Sequence, residues 1–291
     1  MINVYSITTT SFSTINNDPW RWQPHPEVWL LVLAVIFFGF WAKRIGPKVL
    51  PVGTPIATTP QKICFVVAVL LLYLAADWPV HDIAEEHLYF VHMIQHVVIT
   101  LIVPPLFLLA LPSWLARLII LEGGYGSKII RRLSHPITAA LIFNGLSALT
   151  HWTSVVQWSY ESGIFHYFVH LTLFISGLLM WMPVVSPLKE LRISPPGQML
   201  YLFLISVIPT IPSAWLTFAE GTVYKHYDDG FEMWGISVVT DQQAAGAIMK
   251  IIGGFYLWGI ILVKFFRYTS KIRSENQHLR PAAGRLIQYH D

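Results

Sequence analysis

The chain has 291 residues, of which 54% are hydrophobic and only 12% charged, with a net charge of +3. Soluble domains carry roughly a quarter of charged residues, so this composition excludes an ordinary soluble fold. The single cysteine, Cys64, excludes an internal disulfide and the paired-thiol sites of many metal carriers.

Apolar runs of roughly 20 residues, the length that crosses a hydrocarbon core of about 30 Å, recur along the chain and leave no stretch for a separate soluble domain. The expected fold class is all-α, a polytopic membrane protein built as a bundle of about seven transmembrane helices. Residues 1–27 form an N-terminal segment on the outer side, 28–265 the seven-helix domain, and 266–291 a polar cytoplasmic tail. The first 20 residues contain no Lys or Arg and no apolar core, which is unlike a cleavable signal peptide.

Helix 1 is expected over about Val28 to Trp41, with Trp20, Trp22 and Trp29 as interfacial anchors. Helix 2 follows over about Ile63 to Val80, helix 3 over Leu88 to Leu111 and helix 4 over Ile137 to Val156. Helices 5, 6 and 7 cover about Ile164 to Val184, Gly197 to Phe218 and Gln243 to Phe265. Prolines 79, 104, 105, 209 and 212 lie in or beside these spans, where they kink helices or free backbone carbonyls.

Orientation follows from the cations, which accumulate in cytoplasmic loops. Lys43, Arg44, Lys48 and Lys62 fall between helices 1 and 2, Arg117, Lys128, Arg131 and Arg132 between 3 and 4, and Lys189 and Arg192 between 5 and 6. The alternate segments hold only Arg21 and Lys225, so the N-terminus is expected outside and the C-terminus in the cytoplasm. Spread over every cytoplasmic loop, the cations form no single patch for nucleic acid. No Walker-type loop, dinucleotide fingerprint or nucleophile elbow is present.

Ionisable residues within a span are costly and point to function. His92 and His96 stand four apart in helix 3, His166 and His170 repeat that spacing in helix 5, and each pair projects from one helix face. At about 1.5 Å per residue the two pairs lie at matching depths, roughly 5 to 14 Å below the outer boundary. His151 near the outer end of helix 4, and Asp77 with His81 at the outer end of helix 2, fall in the same layer. Asp77 is placed to orient His81 as a carboxylate behind an imidazole. Asp241 lies at the outer mouth of helix 7, and Met93 adds a thioether. Gathered imidazoles suit copper, zinc or haem iron, and a thioether favours Cu(I). An i,i+4 pair clasps one ion from one helix, whereas a bis-His haem takes axial ligands from two helices, and the spacing allows both. A metal or proton transporter is a third reading, prompted by Lys250 in mid-helix 7. His25 and His226, in outer segments, read as solvated.

The run His92-Met93-Ile94-Gln95-His96, followed by Pro104-Pro105-Leu106 and Leu111-Pro112, resembles the signature of the CtaG-type cytochrome c oxidase assembly factors, the family tied to caa-type oxidases of bacteria. His166 to His170 leading to Gly177-Leu178-Leu179-Met180-Trp181, Ser194-Pro195-Pro196 with Tyr201 and Ile208-Pro209, and Trp234-Gly235-Ile236 with Asp241-Gln242-Gln243 are similar to that family in the same order. The resemblance spans about Ile63 to Lys264 and departs from it at Lys250, where many relatives are expected to carry an aromatic residue. It implies a non-enzymatic seven-helix protein of the bacterial inner membrane that binds copper on its outer side. Its implied partners are the catalytic subunit of cytochrome c oxidase, which receives the copper, and other copper chaperones. His92, His96, His166 and His170 match the family's histidine pairs and Asp241 its acidic position, while His81, His87 and His151 are not carried over.

Overall fold

A computed structural model describes residues 18–122 and 124–287. The first part of the N-terminal segment, 1–17, and the last residues of the tail, 288–291, lie outside the described residues. The described residues are helical with turns and contain no strand. Among the described residues, six helices are long and apolar enough to cross a membrane: α1 (Pro26–Val49), α2 (Thr59–Ala76), α3 (Tyr89–Ala110), α5 (Gly163–Val185), α6 (Pro195–Thr217) and α7, which begins at Val238. The seventh, α4 (Pro136–Thr150), is apolar but shorter.

Local chemistry accounts for the starts. Thr58 and Gln61 form a reciprocal capping box at α2, and the hydroxyls of Ser162 and Ser194 accept from the backbone N–H groups of Phe165 and Gly197 at α5 and α6. Several boundaries differ from the hydropathy reading: helix 1 runs on past Trp41 to Val49, and helix 2 covers Thr59–Ala76 rather than Ile63 to Val80. Helix 4 ends at Thr150 rather than near Val156, because the chain turns at His151 and a separate helix, Thr153–Glu161, follows. The sixth span is broken between Val207 and Thr210, where Pro209 has no N–H to donate. The last helix does not stop at Phe265 but runs on to Ile287, since loss of apolarity ends a membrane span without ending a helix.

Contacts between connections define two ends of the bundle. At one end, Trp114 Nε1 donates to the Ile56 carbonyl (2.9 Å), Arg117 pairs with Glu190 (2.6 Å) and Lys264 donates to Gln198 (2.7 Å). The basic connections are therefore gathered there. At the other end, Tyr167 donates to Glu27 (2.6 Å) and His25 meets Asp82 (2.7 Å), joining the starts of α1 and α5 to the segment after α2. All the candidate histidines belong to this second end.

The principal core lies among α3, α5, α6 and α7 and is built around Met180, Trp181, Leu202 and Ile205. Within α3, residues Val98–Ile102 form a π-helical turn just ahead of Pro104 and Pro105. Proline at 104 removes the donor that the Thr100 carbonyl would meet in a regular helix. Gly177 of α5 packs on that carbonyl: a Cβ there would stand 2.5 Å from Thr100 O and 3.0 Å from Pro104 Cγ. Gly177→Ala is thus expected to lower stability by about 1–3 kcal/mol. Gly145→Ala, in α4 with open space around it, is expected not to. Thermal unfolding of the two variants in detergent checks the contrast.

Candidate metal centre

His92 and His166 occupy the same register, each three residues past the first residue of its helix, and the two i,i+4 pairs come together as the spacing predicts. Ring centroids are 4.3 Å apart for His92 and His96, 4.5 Å for His166 and His170, and 5.0 Å for His96 and His170. His151 extends the layer on one side, 5.9 Å from His96. His81 extends it on the other, 5.8 Å from His166, and His25 stands 4.8 Å beyond His81. Seven imidazoles thus form a continuous file across the end of the bundle.

Among the described residues, two trios have ligand geometry. Donor atoms of His92, His96 and His170 lie within 4.8 Å of one another, as do those of His81, Glu85 and His166. Donors about 2 Å from a three-coordinate ion stand roughly 3.5 Å apart, so small side-chain rotations close either trio. Nε2 of His151 and Nε2 of His166 are buried and make no hydrogen bond, leaving them available as donors. The donor set of imidazole nitrogens and one carboxylate, with Met93 buried beside it, fits a soft or borderline cation.

Glu85 is the site residue that hydropathy reasoning missed by assigning it to an outer loop. Its signal in the sequence is the His81-x-x-x-Glu85 spacing, which repeats the i,i+4 rule of the histidine pairs. The π-helical turn Ile83–His87 turns Glu85 inward. That turn is held by the α6–α7 connection: Tyr227 donates to the Ala84 carbonyl (2.7 Å) and His226 Nε2 lies 3.1 Å from the Glu85 carbonyl. Oε1 of Glu85 is 2.8 Å from His92 Nδ1, 3.5 Å from His166 Nε2 and 3.8 Å from His170 Nε2. Burial opposes its charge, but His92, His170 and His166 outweigh burial and hold the carboxyl well below its usual range. In the same connection, burial lowers His81 to about 4, against a smaller opposing pull from Glu85, so its imidazole is neutral at pH 7.

Several expected roles are corrected by the geometry. Asp77 does not orient His81; its carboxylate accepts from the Trp29 indole (3.0 Å), while His81 Nδ1 lies 3.1 Å from the Gln95 amide. Helix 1 thus claims the carboxylate, a contact that spacing within helix 2 could not reveal. Asp241 is not beside the histidines. Its two oxygens accept from the backbone N–H groups of Tyr89 (2.7 Å) and Phe90 (2.9 Å), capping α3 from α7. His25 is not simply solvated, since Asp82 holds it against His81, and His226 stacks on Tyr160 with centroids 3.8 Å apart. Lys250 donates to the Ser206 carbonyl (3.1 Å) and the Thr210 hydroxyl (2.5 Å), bridging the break in α6.

The family model described as "Cytochrome c oxidase caa3 assembly factor" (Caa3_CtaG) matches residues 41–271. Comparison with curated proteins and with solved structures finds no match.

The Asp241 cap leads to a specific expectation. Removing two charge-assisted bonds from the start of α3 in Asp241→Ala costs about 1–2 kcal/mol. Asp241→Asn, which keeps one acceptor oxygen, recovers part of that loss, as read by unfolding midpoints in detergent.

Proposed function

The chain belongs to the cytochrome c oxidase caa3 assembly factor family, and from that premise we propose that it is a non-enzymatic copper-handling factor that receives copper at the histidine layer and passes it to the oxidase. The observation that carries this reading is the convergence of His92, His96 and His170 into one ligand trio, with His166, His81 and Glu85 beside it. Such a site exchanges ligands with copper as its cargo and needs no covalent step. Imidazoles with unpartnered nitrogens can take an ion without first breaking hydrogen bonds, and imidazole ligands with a single thioether neighbour favour Cu(I).

The basic connections sit at the opposite end of the bundle from the histidines. By the bias of Lys and Arg towards the cytoplasm, the site faces the outer side of a bacterial inner membrane, where the metal centre of an oxidase catalytic subunit or another copper chaperone can reach it. Direct contact with that subunit is part of the proposal.

Two features support copper over the rival readings. The cavities bordering His96 have volumes of about 60 and 20 Å³, room for an ion and a few waters but not for a porphyrin slot. The larger cavity runs inward from His96 and His151 to Lys250, whose ammonium is tied to the break in α6. A cation at the inner end of that cavity repels an advancing metal ion, which favours holding and return over transport.

Purified protein loaded with Cu(I) is expected to retain copper and to show no Soret band, and His92→Ala combined with His96→Ala is expected to lose the copper held most tightly. Cells carrying that double variant are expected to make oxidase depleted in copper. Undiminished oxidase copper in those cells would sink the proposal, and a Soret band in the wild type would turn it towards electron transfer.

A further inference from the structure

The two i,i+4 pairs do not act as two pairs. The first histidine of α5, His166, groups with His81 and Glu85, whereas the second, His170, groups with His92 and His96 from α3. One helical turn, about 6 Å of rise, separates the two positions along α5. The trio of His81, Glu85 and His166 adjoins the connection between α2 and α3 at the end of the bundle. The trio of His92, His96 and His170 lies a turn farther in, beside buried Met93 and the unpartnered nitrogen of His151.

Glu85 joins the two. Its Oε1 approaches a nitrogen of the inner trio, His92 Nδ1, at 2.8 Å, and a nitrogen of the outer trio, His166 Nε2, at 3.5 Å. With Nδ1–H of His92 donating to this carboxylate, Nε2 of His92 is left as the free lone pair for a metal, the usual arrangement of a carboxylate behind a ligating histidine. Towards the outer position the same carboxylate is itself a ligand.

Resting on the copper-handling reading above, we infer that the protein holds two copper ions at once, an outer one on His81, Glu85 and His166 and an inner one on His92, His96 and His170, with Glu85 coupling them. Charge permits double loading. Two Cu(I) ions face Glu85 and also Asp82, which contacts His25 at 2.7 Å, and the His25 ring lies 4.8 Å from His81. The positions differ in kind. The inner one offers only imidazoles, with a thioether nearby, and holds Cu(I) more tightly. The outer one includes a hard carboxylate oxygen and lies nearer the end of the bundle, so it exchanges more readily. Copper entering from outside meets the outer position first and moves inward by exchanging onto His170, one turn along the same helix as His166.

The test is an anaerobic titration of the full-length protein in detergent with Cu(I), in competition with a chromophoric Cu(I) chelator and with copper counted by elemental analysis. Wild type is expected to bind two equivalents in two resolved steps. His81→Ala with His166→Ala is expected to keep only the tighter step, and His96→Ala with His170→Ala only the weaker. Glu85→Gln is expected to weaken the outer step at least tenfold and the inner step by a smaller factor. The Gln replacements His81→Gln with His166→Gln, checked for monodisperse elution, repeat the first comparison without cavities. One equivalent in the wild type, abolished by either pair of substitutions, would overturn the two-position inference and leave the copper-handling reading in place. No copper bound by the wild type would overturn both.

Discussion

A helix that begins within a membrane protein leaves its first N–H groups without partners, and α3 begins at Tyr89 in the buried end of the bundle. The carboxylate of Asp241 meets two of those groups, so the residue that caps α3 belongs to α7. The next residues extend this clamp. Gln242 accepts from the N–H groups of Val223 and Tyr224 and donates to the Tyr224 carbonyl, and Gln243 donates to that of Ala219. Three consecutive side chains of α7 therefore set the start of α3 and the path of the α6–α7 connection.

The histidine layer depends on both. The start of α3 sets the depth of His92 and His96. From the α6–α7 connection, Tyr227 and His226 hold the π-helical turn that brings Glu85 inward, and the Tyr224 hydroxyl donates to the His151 carbonyl where α4 ends (2.8 Å). Asp241-Gln242-Gln243 acts as a brace for the histidine layer rather than as part of it. A ligand layer braced by hydrogen bonds to backbone keeps its donors close while leaving imidazole nitrogens free. The ligand exchange proposed for this layer requires that combination of fixed position and open coordination.

The charges buried in the bundle are satisfied by protein groups in the same way. Glu85 is surrounded by imidazoles, and Lys250 gives its protons to oxygen atoms at the Pro209 break. Each occurs where helical geometry has been interrupted, by a π turn in one case and a proline in the other. Interruptions expose backbone carbonyls or redirect side chains, and a membrane interior accepts them only when protein groups satisfy them. At the third interruption, in α3, it is the missing side chain of Gly177 that lets α5 pack on the Thr100 carbonyl.

The sequence by itself determined the helical membrane fold, the approximate spans and the two histidine pairs at equal depth. Each of these follows from a one-dimensional rule: hydropathy over about 20 residues, or a side-chain period of 3.6. The motifs carrying the family resemblance were also legible there, and the family match over 41–271 agrees with them. Only the tertiary structure decided how those pairs divide, with His166 grouped with His81 and Glu85 and His170 with His92 and His96. It also turned Asp77 to Trp29, made Asp241 a cap and brought His25 and Glu85 into the file. The physical reason is that periodicity reports which face of its own helix a residue occupies. Which donor or acceptor meets it there depends on neighbouring elements as much as 152 positions away, as from Tyr89 to Asp241.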